Sequence, residues 1–208
     1  MSRPPRQSGA ETRERILDVA EHHFARCGYR GATLRDIADA VNIRQPSLLY
    51  HFESKQVLFE AVMDRLYVEV NALIINSGQD QFDTVWGQMQ HVISLWGEFI
   101  QSHPNYARIG LHNVASERDE NRIYIQKAAP VVNFYGELLE RGKQSGEFRP
   151  DVELTEFFAL LAGFPYFCRM ISAIDMFNLD PVPGDTEPGM VYIDDLINLV
   201  GRLLLKDQ

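Results

Sequence analysis

The stretch that most limits how this chain can fold is Thr33–Phe52, TLRDIADAVNIRQPSLLYHF. Leu34, Ile37, Ala38 and Val41 recur at helical spacing and make one apolar face. Thr33 stands just ahead of them with Asp36 three residues on, the spacing at which a threonine hydroxyl takes a free backbone N–H. Asn42 follows the last apolar residue, and asparagine tolerates the left-handed backbone that a sharp helix end needs. Pro46 then suits the first turn of a new helix, where its missing N–H costs nothing. Leu48, Leu49 and Phe52 supply the apolar side of that second helix. Two such short helices joined by so short a turn form a helix-turn-helix pattern.

That geometry alone leaves two readings open, plain packing in an all-α protein or a reader of DNA. The residues left facing outward separate them. Arg44, Gln45, Ser47, Tyr50 and His51 all carry hydrogen-bonding groups, and no carboxylate occurs from Val41 through Phe52. A solvated face mixes both signs of charge, whereas a face meant for phosphates and base edges avoids acids. Gln45 has the group to read adenine bidentately and Arg44 to read guanine, while His51 suits phosphate.

The net charge of −9 does not oppose this reading once its distribution is considered. Residues 1–65 hold ten Lys and Arg against nine Asp and Glu; residues 66–208 hold ten against twenty. The acidity therefore belongs to the second part, and DNA binding would use a local patch. Ahead of the pattern, Arg3 and Arg6 sit in a Pro- and Ser-containing arm, read as a solvated tail or as a minor-groove arm. A first helix over about Glu11–Cys27 is expected to bury Ile16, Leu17, Ala20, Phe24 and Cys27, with Gly28 ending it. Cys27 and Cys168 are read as buried free thiols. Behind the pattern, Ser54 caps a long helix to about Asn76, whose first turn and Lys55 could hold a phosphate.

The remaining chain continues at helical spacing, with a break or kink expected at Pro130 and a proline-containing loop over 181–189. No strand alternation and no membrane-length apolar run occur, and the N-terminus lacks the apolar core of a secretory signal, so a cytoplasmic protein without a membrane partner is expected. The segments from Glu153 and from Val191 are apolar on more than one side, with Ala159, Ala162 and Gly163 allowing close helix approach. Self-association covers such surface most simply, and Phe158, Ala159, Ala162, Leu196, Val200 and Leu203 are the candidate dimer residues. Large aromatics are dense in the middle helices.

The run IADAVNIRQPSLLYHFESK, extended upstream through RERILDVAEHHFARCGYRGAT and downstream through SKQVLFEAV, resembles the DNA-binding signature of the tetracycline-repressor (TetR) family. Asn42 replaces the family's usual turn glycine, Arg44 its usual Ser or Thr cap, and Leu49 its frequent Tyr. The resemblance implies an all-α chain of about nine helices. A three-helix helix-turn-helix domain over 1–65 would precede a larger effector-binding and dimerisation domain over 66–208. It implies a homodimer built from the last two helices, a double-stranded operator and a small-molecule effector, with no cofactor and no metal. The DNA-contacting set is then Thr33, Arg44, Gln45, Pro46, Ser47, Tyr50, His51 and Lys55. The effector set, implied by the resemblance, is Trp86, Trp96, Phe99, His103, Tyr106, His112, Phe134, Phe164 and Phe167. The long helix after Ser54 would link reader and effector parts. Two other functions stay open at this point: a helical interaction module without DNA binding, and a metal-dependent helical enzyme using His91, His103 and His112. No HExxH, GxSxG, GxGxxG or P-loop motif is present, and the sequence does not distinguish repression from activation.

Overall fold

The computed structural model describes residues 9–78, 81–114, 118–174 and 193–206. Arg3, Arg6 and the expected loop over 181–189 lie outside them. The described residues form nine helices and no strand: α1 (Gly9–Gly31), α2 (Leu34–Val41), α3 (Gln45–His51), α4 (Lys55–Ile75), α5 (Val85–Ser102), α6 (Pro104–Val114), α7 (Arg118–Ser145), α8 (Leu154–Ile174) and α9 (Ile193–Leu204). The all-α architecture expected from the sequence is what the chain adopts. The described residues pack as two compact units. One comprises those of Met1–Val68 and Asn105–Lys127, the other those of Glu69–Pro104 and Ala128–Gln208.

In the first unit, α1 buries Ile16, Leu17, Ala20, Phe24, Ala25 and Gly28. The stripe follows the i, i+4 track 16–20–24–28, so Cys27 falls on its flank and is exposed rather than buried. Cys168 has no described side chain. Gly28 lies at φ 68°, ψ 173°, a backbone state open in practice only to glycine. A Cβ there would also come within 3.1 Å of His112 Nδ1 on α6. The aromatic core of this unit is Phe24, with its ring edge-on to Phe59 at 5.0 Å, and Tyr29, also 5.0 Å from Phe59. Ser54 caps α4 as expected, its hydroxyl accepting from Val57 N at 3.1 Å. On that helix Leu58, Val62, Leu66 and Val70 are buried, whereas Val57 is exposed.

In the second unit, Tyr135 is fully buried and donates its hydroxyl to Val92 O at 3.2 Å. Phe157 and Phe158 stand against its ring. α9 packs on α5 and α8. The approach to α5 is close because Gly97 has no side chain: a Cβ there would lie 2.7 Å from Ile193 Cγ1. Of the break or kink expected at Pro130, the break does not occur: α7 runs through Pro130 as one helix, at the cost of one ladder hydrogen bond.

The start of α5 is capped twice. Thr84 Oγ1 accepts from Gly87 N at 3.0 Å, and the Glu147 carboxylate accepts from Val85 N at 3.1 Å and Trp86 N at 3.0 Å. Partial burial alone would raise the Glu147 carboxyl. The bonds from Trp86, Val85 and Ser145 and the charge of Arg141 outweigh it and hold the group below its ordinary value of 4.5.

Two outcomes follow. Because the folded-state value of Glu147 is depressed, its contribution is complete above the unfolded value and is lost as pH falls through the folded one. Glu147→Gln should therefore lower stability by about 1 kcal/mol at neutral pH, with the gap to the native chain closing below about pH 4.5, as read by urea unfolding across pH. Gly28→Ala should cost about 1–3 kcal/mol through backbone strain, visible as a lowered thermal midpoint.

Candidate nucleic-acid interface

The site is built from three helices. α2 begins with Thr33 in extended backbone, its Oγ1 accepting from Asp36 N at 3.1 Å and donating to Asp36 Oδ2 at 2.7 Å. It ends at Asn42, the only non-glycine residue with positive φ among the described residues (φ 60°, ψ 41°). The Asn42 N–H reaches Asp39 O at 3.0 Å and the Ile43 N–H reaches Ala38 O at 3.0 Å, which closes the helix end. The chain is thereby turned, and α3 starts three residues later.

α3 has seven residues, too few to persist alone. Its N-cap, Arg44, has extended backbone and makes no side-chain cap; only its carbonyl accepts, from Ser47 N at 2.8 Å and Leu48 N at 3.2 Å. What holds α3 is burial. Leu48 is fully covered and Phe52, four residues on, is 2% exposed. This i, i+4 pair takes the whole inward face, so Leu49 is left exposed rather than joining the apolar side.

α1 clamps the pair of short helices from behind. Arg15 Nη2 donates to Val41 O at 2.8 Å, satisfying a carbonyl at the end of α2. The Arg13 guanidinium lies 4.9 Å from the centre of the Phe52 ring. Arg65 on α4 grips α1 through Asp18 at 2.6 Å and Glu21 at 2.5 Å. The sequence reading missed these roles of Arg13, Arg15 and Arg65. Glu14, Asp18 and Glu21 at i, i+4 and i+7 on α1 were the signal that a basic partner must face them.

With Leu48 and Phe52 inward, the remaining α3 residues face solvent. Arg44, Gln45, Pro46, Ser47 and Tyr50 are exposed, Tyr50 at 87%, and His51 is half-buried with its ring edge-on to Tyr50 at 5.5 Å. Among the described residues, no side chain pairs with those of Arg44, Gln45 or Ser47. The structure thus gathers six of the eight sequence-predicted residues on one short surface without a carboxylate. The other two are engaged internally. The Thr33 hydroxyl is held by Asp36. The Lys55 ammonium donates to Ala32 O at 2.9 Å and Arg30 O at 3.4 Å, and lies 4.6 Å from the centre of the Tyr29 ring. Lys55 so neutralises carbonyls at the end of α1.

The nine residues proposed around an effector are divided between the two units. Tyr106 belongs to the first unit, its hydroxyl 3.4 Å from that of buried Tyr67, as does His112, which rests against Gly28. In the second unit His103 stacks on Phe99 at 4.2 Å, with Nδ1 3.0 Å from Phe99 O and Nε2 3.3 Å from Glu69 Oε1. Trp96 is buried, Trp86 stands edge-on to Phe148 at 6.5 Å, and Phe134 packs on Tyr135. Phe164 is half-buried, and the side chain of Phe167 lies outside the described residues. Of the candidate dimer residues, Leu196 and Val200 are fully buried in the single chain, whereas Ala159 is exposed and Phe158, Ala162 and Leu203 are half-buried. Among the described residues no three His, Cys, Asp or Glu side chains converge as a metal site, and no helix is long and apolar enough to cross a membrane.

Two family models match the chain. "Bacterial regulatory proteins, tetR family" covers residues 16–62, and "Tetracyclin repressor-like, C-terminal domain" covers 87–177. The chain is 24% identical over 168 residues to the HTH-type transcriptional repressor NicS of Pseudomonas putida, with 77% of each chain covered. It is 40% identical over 63 residues to the biofilm operon icaADBC negative transcriptional regulator IcaR of Staphylococcus aureus, a match spanning 30% of this chain and 34% of that one. Its fold is similar to that of a tetR-family regulatory protein from Rhodococcus RHA1 (TM-score 0.72, 17% identity, covering 97% of this chain and 100% of the other). The reader helices fall inside the first model and the helices from α5 into α8 inside the second: the chain belongs to the tetR family of bacterial regulatory proteins and is a ligand-responsive, DNA-binding transcriptional regulator, not an enzyme.

Proposed function

We propose that the chain acts as a cytoplasmic homodimeric repressor that holds a near-palindromic double-stranded operator through α3 and releases it when a small molecule binds. The observation that carries this is the acid-free outward surface of α3, fixed in place by buried Leu48 and Phe52. On it Arg44 and Gln45 suit guanine and adenine edges, and Ser47, Tyr50 and His51 suit phosphate oxygens. The relatives NicS and IcaR, named as a repressor and a negative regulator, support repression over activation.

In this reading residues 1–65 are the reader and 66–208 carry effector binding and dimerisation. The partner protomer meets α8 and α9 through Phe158, Ala159, Ala162 and Leu203, because Leu196 and Val200 are already spent on the protomer's own core. A two-fold dimer sets two α3 helices about 34–36 Å apart, one duplex turn, which is why the operator is read as a palindrome. The effector acts by binding one arrangement of the two readers more tightly than the other. The aromatic-rich helices of 66–208, with Trp86, Trp96, Phe99, His103, Phe134, Phe164 and Phe167, are its proposed location.

Operator affinity measured against a panel of single-base variants tests the contacts. Gln45→Ala should lose about 1–3 kcal/mol and become indifferent at one base position per half-site. His51→Ala should weaken all sequences alike. A change of base preference in His51→Ala would contradict the assignment. For the dimer, Ala159→Glu places a charge on an exposed position of the protomer. Sedimentation should find the native chain dimeric and the variant monomeric, with unchanged helical circular dichroism.

A further inference from the structure

The outward residues of α3 divide into two stripes by helical spacing. Ser47, Tyr50 and His51 stand at i, i+3 and i+4, and all three present O–H or ring N–H groups. Gln45, Pro46 and Leu49 form the other stripe: Leu49 is four residues from Gln45 and three from Pro46. The first stripe carries hydroxyl and ring N–H groups, which suit phosphate oxygens. The second has one amide and two apolar surfaces. Leu49 is 36% exposed on a helix whose inward face is already filled by Leu48 and Phe52, so nothing in the protomer's packing requires an apolar residue there.

We propose that Leu49 is a specificity residue which, with Pro46, receives the C5-methyl group of a thymine next to or near the adenine read by Gln45. Apolar side chains discriminate thymine from the other bases in the major groove through that methyl alone. Four residues of helix rise about 6 Å, close to two base steps, which places the thymine within about two steps of the adenine. The inference rests on the DNA-reading function proposed above and adds a base and a chemical group to it.

The test uses the full chain. Its preferred site is obtained by selecting bound DNA from a random pool, and each thymine in a half-site is then replaced by deoxyuridine, which removes only the methyl group. One replacement should weaken native binding by about fourfold per half-site, the worth of one buried methyl. Leu49→Ala should show a similar loss on the thymine site and no further loss on the uracil site. Leu49→Met, which keeps an apolar surface, should retain the discrimination. Equal uracil effects in the native chain and Leu49→Ala, or no effect in either, would overturn the assignment while leaving the regulatory reading intact. Failure to enrich any sequence would overturn both. Because Leu49 is exposed, circular dichroism of the variants should match that of the native chain.

Discussion

The outward surface of α3 depends on two buried side chains, Leu48 and Phe52. A helix of seven residues has too few internal hydrogen bonds to outlast its entropy cost, so α3 exists because Leu48 and Phe52 are buried. That pair also fixes the rotation of the helix about its axis. With positions 48 and 52 inward, positions 45, 46, 47, 49 and 50 must be outward. Core packing thus decides which polar groups α3 presents. α1 completes the arrangement from behind, through Arg15 on the last carbonyl of α2 and Arg13 over the Phe52 ring.

Electrostatics follows the same division. Several basic residues of the first unit work internally. Arg65 binds Asp18 and Glu21, and Lys55 binds carbonyls at the end of α1. The exposed arginine at the start of α3 is Arg44, and the acids of α1 are drawn toward Arg65. An acidic chain can therefore present a surface free of carboxylates where it matters. Affinity for DNA would come from a small number of phosphate contacts and from base edges, not from a broad basic field.

What could be read from the sequence was what depends on neighbours in the sequence. The Thr33 cap, the left-handed Asn42, the Ser54 cap and the helical character of the chain are all decided within a few residues, and the chain adopts them. What could not be read depends on distant partners. The internal bonds of Lys55 could not be read because nothing local showed that the Ala32 and Arg30 carbonyls lie within its reach. Leu49 looked like core because apolar spacing cannot tell a one-pair anchor from a wider stripe. Cys27 was placed inside because the i, i+3 and i, i+4 tracks diverge only when the opposing helix is known. Leu196 and Val200 read as a dimer seam, but an apolar stripe does not say whether its cover is the same chain or a second one. α9 spends both on its own protomer. Tyr106 and His112 fall in a different unit from the other aromatics because α6 and the start of α7 pack with the first unit, a tertiary choice invisible to periodicity.

The most direct measurement of the central claim is the sequence enriched from a random DNA pool by the native chain and by Gln45→Ala in parallel. The account predicts a near-palindrome with half-sites about one duplex turn apart for the native chain. The variant should enrich the same framework, relaxed at one position in each half. Absence of any enriched sequence, or an identical motif from both proteins, would contradict the claim that buried Leu48 and Phe52 set α3 as the reader.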